Sequence, residues 1–472
     1  MRILMVTIGY PPKQVGGTEV YVFGLVEALK ERGHECSVVY IEPFENQEGP
    51  EFRVLREKYL GTSVFILQVN QVFHKLEFVV FDVKLRNHLL EQFRALVTEV
   101  DPDIIHVHPL QLGFDSYLIE NLNRAGEKVV MTFHSSTTTC ARGDLRYMGK
   151  EVCDGLILQK RCTKCFYQWK AVPVPIAVAL SKVPLRWYES IFTSLEHSPK
   201  LKKLRSFASI PVAIGERRKA WTRTTSNTKA IVAVCDWVRE TILKNGTHAG
   251  KVVSSRHGLR LGAERNGQMR TGISRFGYLG RISPEKGIGL LLTVLERMPA
   301  EVRYEFEFCS SSFASKSRRP EEEQLVQAIY RLQQRDARVR VLDGVSDSQL
   351  RNVLSNWDAL VVPSLWLESG PQVVYEAFAV HTPVIGSRLG GIAELVRDGS
   401  TGFLFTPGEG EELEALLKNC ADSPETLRAL RQNIAPVRTT TDVATDMILV
   451  YRQILDQQPS REKKNALVGA LG

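Results

Sequence analysis

The chain lacks any apolar run long enough to cross a membrane. Its longest, AVPVPIAVAL at 171–180, is ten residues long and broken by prolines, against roughly 20 apolar residues for a spanning helix. The N-terminal MRILMVTIGYPP has one basic residue and a short apolar run, without the longer apolar core and small-residue cleavage site of a signal peptide. It reads as a buried first strand. Also absent are a Gly-x-Gly-x-x-Gly fingerprint after a strand and a Lys-Ser/Thr phosphate loop, which removes support from dinucleotide oxidoreductase and ATPase readings. Compositional extremes are missing too. Hydrophobic residues make up 43%, charged residues 24% and aromatics 8% of the 472 residues, which excludes disordered and fibrous proteins. At roughly 150 residues per domain, the length implies two or three domains.

The net charge of +8 is unevenly placed. Between Lys160 and Arg223 stand fourteen Lys and Arg and three acids, a net of +11, so the rest of the chain is slightly acidic. Such a segment either meets an anionic partner (a phospholipid surface, a polyphosphate-linked substrate or nucleic acid) or is a solvated helical face. Cysteine is sparse outside one cluster. Cys36, Cys235, Cys309 and Cys420 sit singly in apolar or helical contexts and read as buried small hydrophobes in a reducing compartment, which makes the cytoplasm the default location. Cys140, Cys153, Cys162 and Cys165 fall within 26 residues. Their Cys-x2-Cys knuckle and two upstream thiols are enough for a tetrahedral structural Zn²⁺ site, with disulfides and unligated thiols as the alternatives. Any such metal would staple its segment and not act on substrate.

Strand and helix patterns alternate along the chain, the mark of α/β architecture with parallel sheets. RILMVTI is a strand, Thr18 to Arg32 an amphipathic helix closed by Gly33, CSVVYI a strand, ALVTEVDPDIIHVHP helix, turn and strand, and EKVVMTFH another strand. The region 140–225, Cys-rich and then basic, breaks this rhythm and reads as an insertion before AIVAVCDWVRETILK. A polar stretch from Gly262 to Ser274 has the composition of a linker. The alternation restarts at RFGYLGR and runs to a final helical stretch from Glu411. Expected are an N-terminal domain over 1–264, a second over 275–440, a helix over 441–457 packing back on the first domain, and a loose tail over 458–472. Each domain is a Rossmann-like, doubly wound sheet; the two face a central cleft, with ligands at the carboxyl ends of strands.

The strongest chemical signal is SLWLESGPQVVYEAFA at 364–379, directly after the apolar ALVVP. Ser369 or Gly370 can cap a helix with Pro371 in its first turn. A helix N-terminus after a strand offers free N–H groups and a positive dipole end, suited to a diphosphate. Glu376 inside that helix can accept both hydroxyls of a ribose, and Glu368 in the loop can reach a sugar hydroxyl. In FGYLGRISPEKGIGLLL, Arg281 at a strand end and Lys286 at a helix start can neutralise a leaving diphosphate. Gly16 and Gly17 lie between the first strand and helix, where backbone N–H groups can approach a phosphate and Thr18 can cap. Of His106, His108 and His134, all at strand ends, His134 is the functional candidate, and buried hydrogen-bonded histidine is the reading for the other two.

Together these elements resemble the retaining nucleotide-sugar glycosyltransferases of family four, which have GT-B architecture. Glu368 and Glu376 match the family's Glu-x7-Glu motif, GRISPEKG its diphosphate loop, and SRLGGIAELVRDGSTGFLF its later donor-side segment; GGTE, DIIHVH and His134 match more weakly. Cys235-Asp236 departs from the small or Ser residue usual at that strand end. The resemblance implies that Arg281 and Lys286 hold the donor diphosphate, Glu376 the ribose and Glu368 the sugar, with Gly17 and His134 near the reacting centre. Bond cleavage places negative charge on the diphosphate, so fixed cations are the main help and no hydrolase-style carboxylate pair is needed. The lone Asp-x-Asp, Asp101-Pro102-Asp103, reads as a turn, so no catalytic cofactor is expected.

The expected activity is hexosyl transfer with retention, independent of metal, from a nucleoside diphosphate sugar to a glycan or lipid-linked glycan in cell-surface polysaccharide synthesis. VPIAVALSKVPLRWYESIFTSL with KLKKLRSF suits docking on an anionic membrane face, or else is an amphipathic hairpin covering the domain; nucleic acid is not expected as a partner. The rivals are a nucleotide-sugar epimerase or hydrolase on the same fold, a phosphorylase, for which no pyridoxal-binding Lys stands out, and a non-catalytic sugar-binding scaffold.

Overall fold

The computed structural model describes residues 1–13, 16–46, 48–72, 83–108, 114–134, 136–195, 199–260, 272–315, 317–343, 345 and 347–456. It divides into two compact units, the first made of Met1–Val234, Val238–Arg256 and the stretch from Thr440 on, the second of Cys235–Trp237 and His257–Thr439. The expected tail and most of the expected linker lie outside the described residues.

In the first unit the strands are β1 (Arg2–Val6), β2 (Glu35–Phe44), β3 (Phe52–Tyr59), β4 (Thr62–Asn70), β5 (Ile104–Val107), β6 (Val129–Phe133), the short hairpin β7 (Arg146–Tyr147) and β8 (Glu151–Val152), then β9 (Ala230–Ala233) and β10 (Val252–Ser254). The main sheet runs β10-β9-β6-β5-β1-β2-β4-β3. Strand order therefore reverses between β1 and β5, and the carboxyl ends of those two strands flank the crevice where such sheets bind ligands. IIHV, VVMTF and AIVA are buried at every position, as strands covered on both faces must be. The helix Gly17–Lys30 and the helix Thr440–Asp456 supply Val22, Leu25, Val443, Met447 and Tyr451 to one core with Ile3, Met5 and Val38.

One edge strand departs from the expected parallel arrangement, because β3 pairs antiparallel with β4. Leu60 and Gly61 both have positive φ, 46° and 78°, the backbone of a two-residue primed hairpin turn. Arg53, Arg56, Glu57 and Lys58 are exposed on β3, and charges on an edge strand discourage pairing with another chain. Within the insertion are helices Gln159–Trp169, Val174–Lys182, Leu185–Ser194 and Lys202–Asn227, with Tyr188, Ala208 and Val212 as a small core of their own.

The second unit is one parallel sheet of β11 (Ser274–Leu279), β12 (Tyr304–Cys309), β13 (Val339–Leu342), β14 (Ala359–Val362), β15 (Val384–Ser387) and β16 (Gly402–Phe405). Its order is β13-β12-β11-β14-β15-β16, so the reversal falls between β11 and β14. Phe276, Phe306, Phe308, Leu291 and Leu413 centre its core. Cys36, Cys235, Cys309 and Cys420 are buried. No helix among the described residues is long and apolar enough to cross a membrane.

Because Met447 is fully buried in the shared core of the first unit, Met447→Ala should lower the unfolding free energy by about 2–5 kcal/mol in urea titration. A loss below about 0.5 kcal/mol, the range of ordinary surface substitutions, would show that the last helix does not belong to that core.

Candidate active site

Both loops that carry the strongest sequence signals leave the sheet at the reversal point of the second unit. After β11 come Gly280, Arg281 and a 3₁₀ turn Pro284–Lys286, then Gly287 and the helix Ile288–Arg297. After β14 comes the loop 363–371, leading to the helix Gln372–Ala379. The Leu365 N–H donates to the Glu285 carbonyl at 2.9 Å, lacing one loop to the other. Gly287 has φ +75°, and a Cβ there would lie 1.9 Å from the Pro363 carbonyl oxygen. Only glycine allows both that backbone and that approach.

This closeness brings Lys286 Nζ to 2.6 Å from Glu368 Oε1. Ser364 Oγ and Trp366 Nε1 each donate to the same oxygen at 2.8 Å. The Glu368 carbonyl accepts from the Gly391 N–H at 2.7 Å and from Trp237 Nε1 at 2.8 Å, fixing the residue from its backbone side. Glu368 is only 9% exposed. Burial by itself would push its carboxyl up, but the Lys286 charge and the bonds from Lys286, Trp366 and Ser364 outweigh it and hold the group below the usual carboxylate value. All three side-chain donors converge on Oε1, so the described residues leave Oε2 for a hydroxyl.

Arg281 is exposed and has no ion pair among the described residues, while its carbonyl accepts from Tyr278 Oη at 2.6 Å. The main chain is held and the guanidinium faces outward. Glu376 is half-buried at the fifth position of its helix. Ser369, Gly370 and Pro371 form the lead-in, with one correction: Pro371 is itself the N-cap and not a residue of the first turn. Its ψ of 109° keeps it extended, and His257 Nδ1 lies 3.1 Å from the Gly370 carbonyl just before it. The cap makes no side-chain hydrogen bond, so the positive end of the helix is open to an anion.

In the first unit Gly16 is the N-cap of the helix Gly17–Lys30, with extended backbone, and Thr18, expected as the cap, lies inside the first turn instead. The Glu19 carboxylate folds back over it, with Oε2 2.7 Å from where a Cβ would stand. A Cβ on Gly17 would meet nothing within 4 Å, so the backbone there is open. His134 follows β6, is buried, and sits with Nε2 3.1 Å from Nδ1 of His108 and its ring 4.7 Å from that of Tyr21. His106 is saturated, with Nδ1 2.6 Å from Tyr451 Oη and Nε2 2.7 Å from Thr132 Oγ1; burial pushes it down to about 3, so it stays neutral.

Cys140, Cys153, Cys162 and Cys165 line one small cavity, and none is disulfide-bonded. The described residues include no group of three or more His, Cys, Asp or Glu side chains placed to hold a metal ion, so the zinc expected from the spacing finds no ligand set. The thiols are engaged separately: Cys165 accepts the Met148 N–H at 3.2 Å, Cys162 lies 3.6 Å from the Leu156 carbonyl, and Cys153 lies 3.8 Å from Asp154. Burial pushes all three up, towards the protonated form. Sequence reasoning missed Ser364, Trp366, Trp237, His257 and Tyr451. Only Trp366, two residues before Glu368, carried a local signal.

The sequence matches two family models, "Glycosyltransferase Family 4" over residues 15–157 and "Glycosyl transferases group 1" over residues 268–435. The chain belongs to the family-four glycosyltransferases. It is 34% identical over 122 residues to MMP alpha-(1->4)-mannosyltransferase of Mycolicibacterium hassiacum, covering 25% of this chain and 29% of that protein. It is 27% identical over 182 residues to alpha-D-kanosaminyltransferase of Streptomyces kanamyceticus, covering 38% and 45%. The chain thus spans less than half the length of these two relatives. Among solved structures, sucrose-phosphate synthase from Thermosynechococcus elongatus aligns with TM-score 0.61 and 17% identity over 97% of this chain and 99% of that one. The catalytic domain of starch synthase IV from Arabidopsis thaliana, bound to ADP and acarbose, aligns with 0.58 and 13% over 96% and 99%, and Anabaena HepE in complex with UDP and glucose with 0.55 and 16% over 97% and 98%. The glycosyltransferase has the GT-B fold of these neighbours.

Removing the cation isolates the energetics of Glu368. Lys286→Met should destabilise the protein by about 3–5 kcal/mol at pH 7, since it leaves a buried carboxylate unpaired. Glu368 is depressed in the wild type, so the pair's contribution is full above the usual glutamate range and fades as pH falls through it. Unfolding curves from pH 7 to pH 3 should therefore converge for the two proteins. A constant gap would mean that the ion pair is not its source.

Proposed function

We propose that this glycosyltransferase moves a hexosyl group from a nucleoside diphosphate sugar to a hydroxyl of a glycan or lipid-linked glycan, with retention and without a divalent metal, in cell-surface polysaccharide synthesis. The reading rests on one observation: Lys286, Arg281 and the open N-terminus of the helix Gln372–Ala379 all belong to the two laced loops at the strand reversal of the second sheet. Breaking the bond between the anomeric carbon and phosphate puts negative charge on the departing diphosphate, and preorganised donors and cations aimed at that charge lower the barrier. Arg281 supplies a bidentate fork and Lys286 a point charge. The acceptor oxygen attacks the face that the phosphate leaves, and its proton passes to the departing phosphate oxygen. Glu368 Oε2 would take a sugar hydroxyl, and Glu376 the ribose hydroxyls.

The UDP and ADP held by HepE and starch synthase IV support a nucleoside diphosphate as leaving group. The mannosyl and kanosaminyl transfers named for the two relatives show that family membership leaves the sugar open. None of the eight cysteines is disulfide-bonded, which supports a reducing, cytoplasmic setting.

The insertion supports an acceptor met at a membrane. Trp169, Val174, Ile176, Val183, Trp187, Leu201 and Leu204 are exposed, seven of the fifteen exposed large hydrophobic residues described. Lys170, Lys182, Arg186, Lys200 and Lys203 are exposed beside them and pair with no described carboxylate. Aromatic and aliphatic side chains among unpaired cations suit the interface of an anionic bilayer.

Two measurements test these readings. Arg281→Ala should keep the wild-type melting temperature and lose about 100-fold in kcat, with EDTA leaving wild-type turnover unchanged; turnover abolished by EDTA and restored by Mg²⁺ would end the metal-free account, and free sugar formed without acceptor would favour the epimerase or hydrolase. Sedimentation with vesicles should depend on anionic lipid and fall with salt, and Trp187→Ser with Arg186→Glu should abolish it. Equal binding to zwitterionic vesicles, or none to either kind, would remove the membrane.

A further inference from the structure

A lysine bound to a buried carboxylate cannot serve a second anion without cost. Lys286 Nζ lies 2.6 Å from Glu368 Oε1. The main chain of Lys286 cannot give way, because the following Gly287 is pressed against the Pro363 carbonyl and the Leu365 N–H is bonded to the Glu285 carbonyl. Only the side chain can turn towards a diphosphate. A shift of the ammonium away from Oε1 would leave the buried Glu368 short of counter-charge, which is strongly unfavourable in an interior.

Two further donors stand on the same oxygen. Trp366 Nε1 and Ser364 Oγ each lie 2.8 Å from Glu368 Oε1. A carboxylate oxygen has two lone pairs, so three donors crowd it, and two remain when the third is drawn away. Trp366 also flanks the lysine, with Nζ 5.5 Å from the indole centroid, within cation–π range. The indole thus touches both members of the ion pair. The other titratable or charged groups around Glu368 have partners of their own or face away. Tyr278, which feels the Glu368 charge, gives its hydroxyl to the Arg281 carbonyl and is held protonated by burial. Glu285 pairs with Arg319 at 3.2 Å. Glu394 accepts the Asp236 and Trp237 N–H groups at 2.8 and 2.9 Å. His257 meets the Gly370 carbonyl and is pushed down to about 4 by burial, and Arg281 is exposed.

We propose that Trp366 is a positioning residue for Lys286: its indole N–H, together with Ser364, carries enough of the Glu368 charge for Lys286 to be shared with a diphosphate. This rests on the transfer reading, which supplies the diphosphate. Binding draws the ammonium partly away from Oε1, and the indole N–H limits what that costs. Without the indole donor the cost appears as weaker binding while Glu368 is ionised. It disappears once Glu368 is protonated, because a neutral carboxyl holds no lysine back. The deficit is therefore full above the usual glutamate range and fades as pH falls through it.

Calorimetric titration of the full-length protein with UDP, ADP, GDP, CDP and dTDP finds the diphosphate that binds, and that one is then compared in Trp366→Phe and Trp366→Gln from pH 7 to pH 4. Phenylalanine keeps a ring beside Lys286 and loses the N–H; glutamine keeps an N–H and loses the ring. Trp366→Phe should raise Kd about tenfold at pH 7, the worth of one hydrogen bond to a charged group, and its ratio to wild type should shrink towards pH 4. In buffers of different ionisation enthalpy, Trp366→Phe should take up more protons on binding than wild type does over the lower part of that range. Trp366→Gln should follow wild type. An unchanged Kd in Trp366→Phe, a deficit of the same size at every pH, as lost packing would give, or a deficit confined to Trp366→Gln would overturn the proposal. If wild type binds none of the diphosphates, the transfer reading falls and the proposal with it. Binding abolished by Arg281→Ala and indifferent to Trp366→Phe removes the proposal alone.

Discussion

A carboxylate buried at the end of a parallel sheet is a liability, and the donor-side loops are organised around meeting its cost. Taking Glu368 out of water costs several kcal/mol unless it is paired and hydrogen-bonded, and one of its oxygens takes Lys286, Ser364 and Trp366 together. That arrangement dictates the local sequence. Lys286 reaches Glu368 only if its loop presses against the loop after β14, and that contact leaves no space for a side chain at residue 287. Pro363, Ser364, Trp366, Glu368 and the Lys286-Gly287 pair are therefore one device read in two places along the chain. Under the proposed transfer the pair would also prepare the site, because a cation already fixed by a buried partner would lose little further freedom on binding a diphosphate.

Topology explains why these loops, and not others, carry the charges. In each sheet the strand order grows outward in both directions from one adjacent pair, β1 and β5 in the first unit and β11 and β14 in the second. Helices after such a pair run to opposite faces, which leaves a crevice at the carboxyl end, and in the second unit the two loops meet at its base. Gly16, Gly17 and His108 follow β1 or β5, and His134 follows the neighbouring β6; Arg281, Lys286, Glu368 and Gly370 follow β11 or β14. Apart from His134 and the four cysteines, the residues singled out by spacing fall at these two places, where a short loop leaves a buried sheet at its carboxyl end.

Much of this was legible from local pattern. Buried parallel strands are near-continuous apolar runs, and VVMTF and ALVV announce themselves. What failed was whatever depends on distant partners. The β3–β4 hairpin was hidden because FRVLREKY has no alternation and its turn is made by Leu60-Gly61 in place of the usual Asn-Gly. Pro371 was assigned to the first helical turn on general preference, whereas it is the N-cap itself, and the carbonyl just before it meets His257 from 113 positions away. Tyr451 carries no chemical signal in its own helix, yet its hydroxyl meets His106, 345 positions earlier. The four cysteines show the converse. Spacing compatible with tetrahedral coordination put the thiols around one cavity without forming a metal-ligand set among the described residues, since ligation requires the sulfurs to point at a common centre and not merely to be near one another.

The two reversal points treat ionisable groups in opposite ways, and the contrast has a chemical logic. In the second unit burial is opposed by a counter-charge, so Glu368 remains an anion and Lys286 a cation beside the exposed Arg281. In the first unit burial is unopposed, and His106 and His108 are held neutral. In the proposed transfer the developing charge would sit on a departing diphosphate, and fixed positive charge beside that group would act on the charge that grows. Burial thus goes with charge in one sheet and with its absence in the other, and the difference is decided by whether a counter-charge acts on the group, as Lys286 does on Glu368.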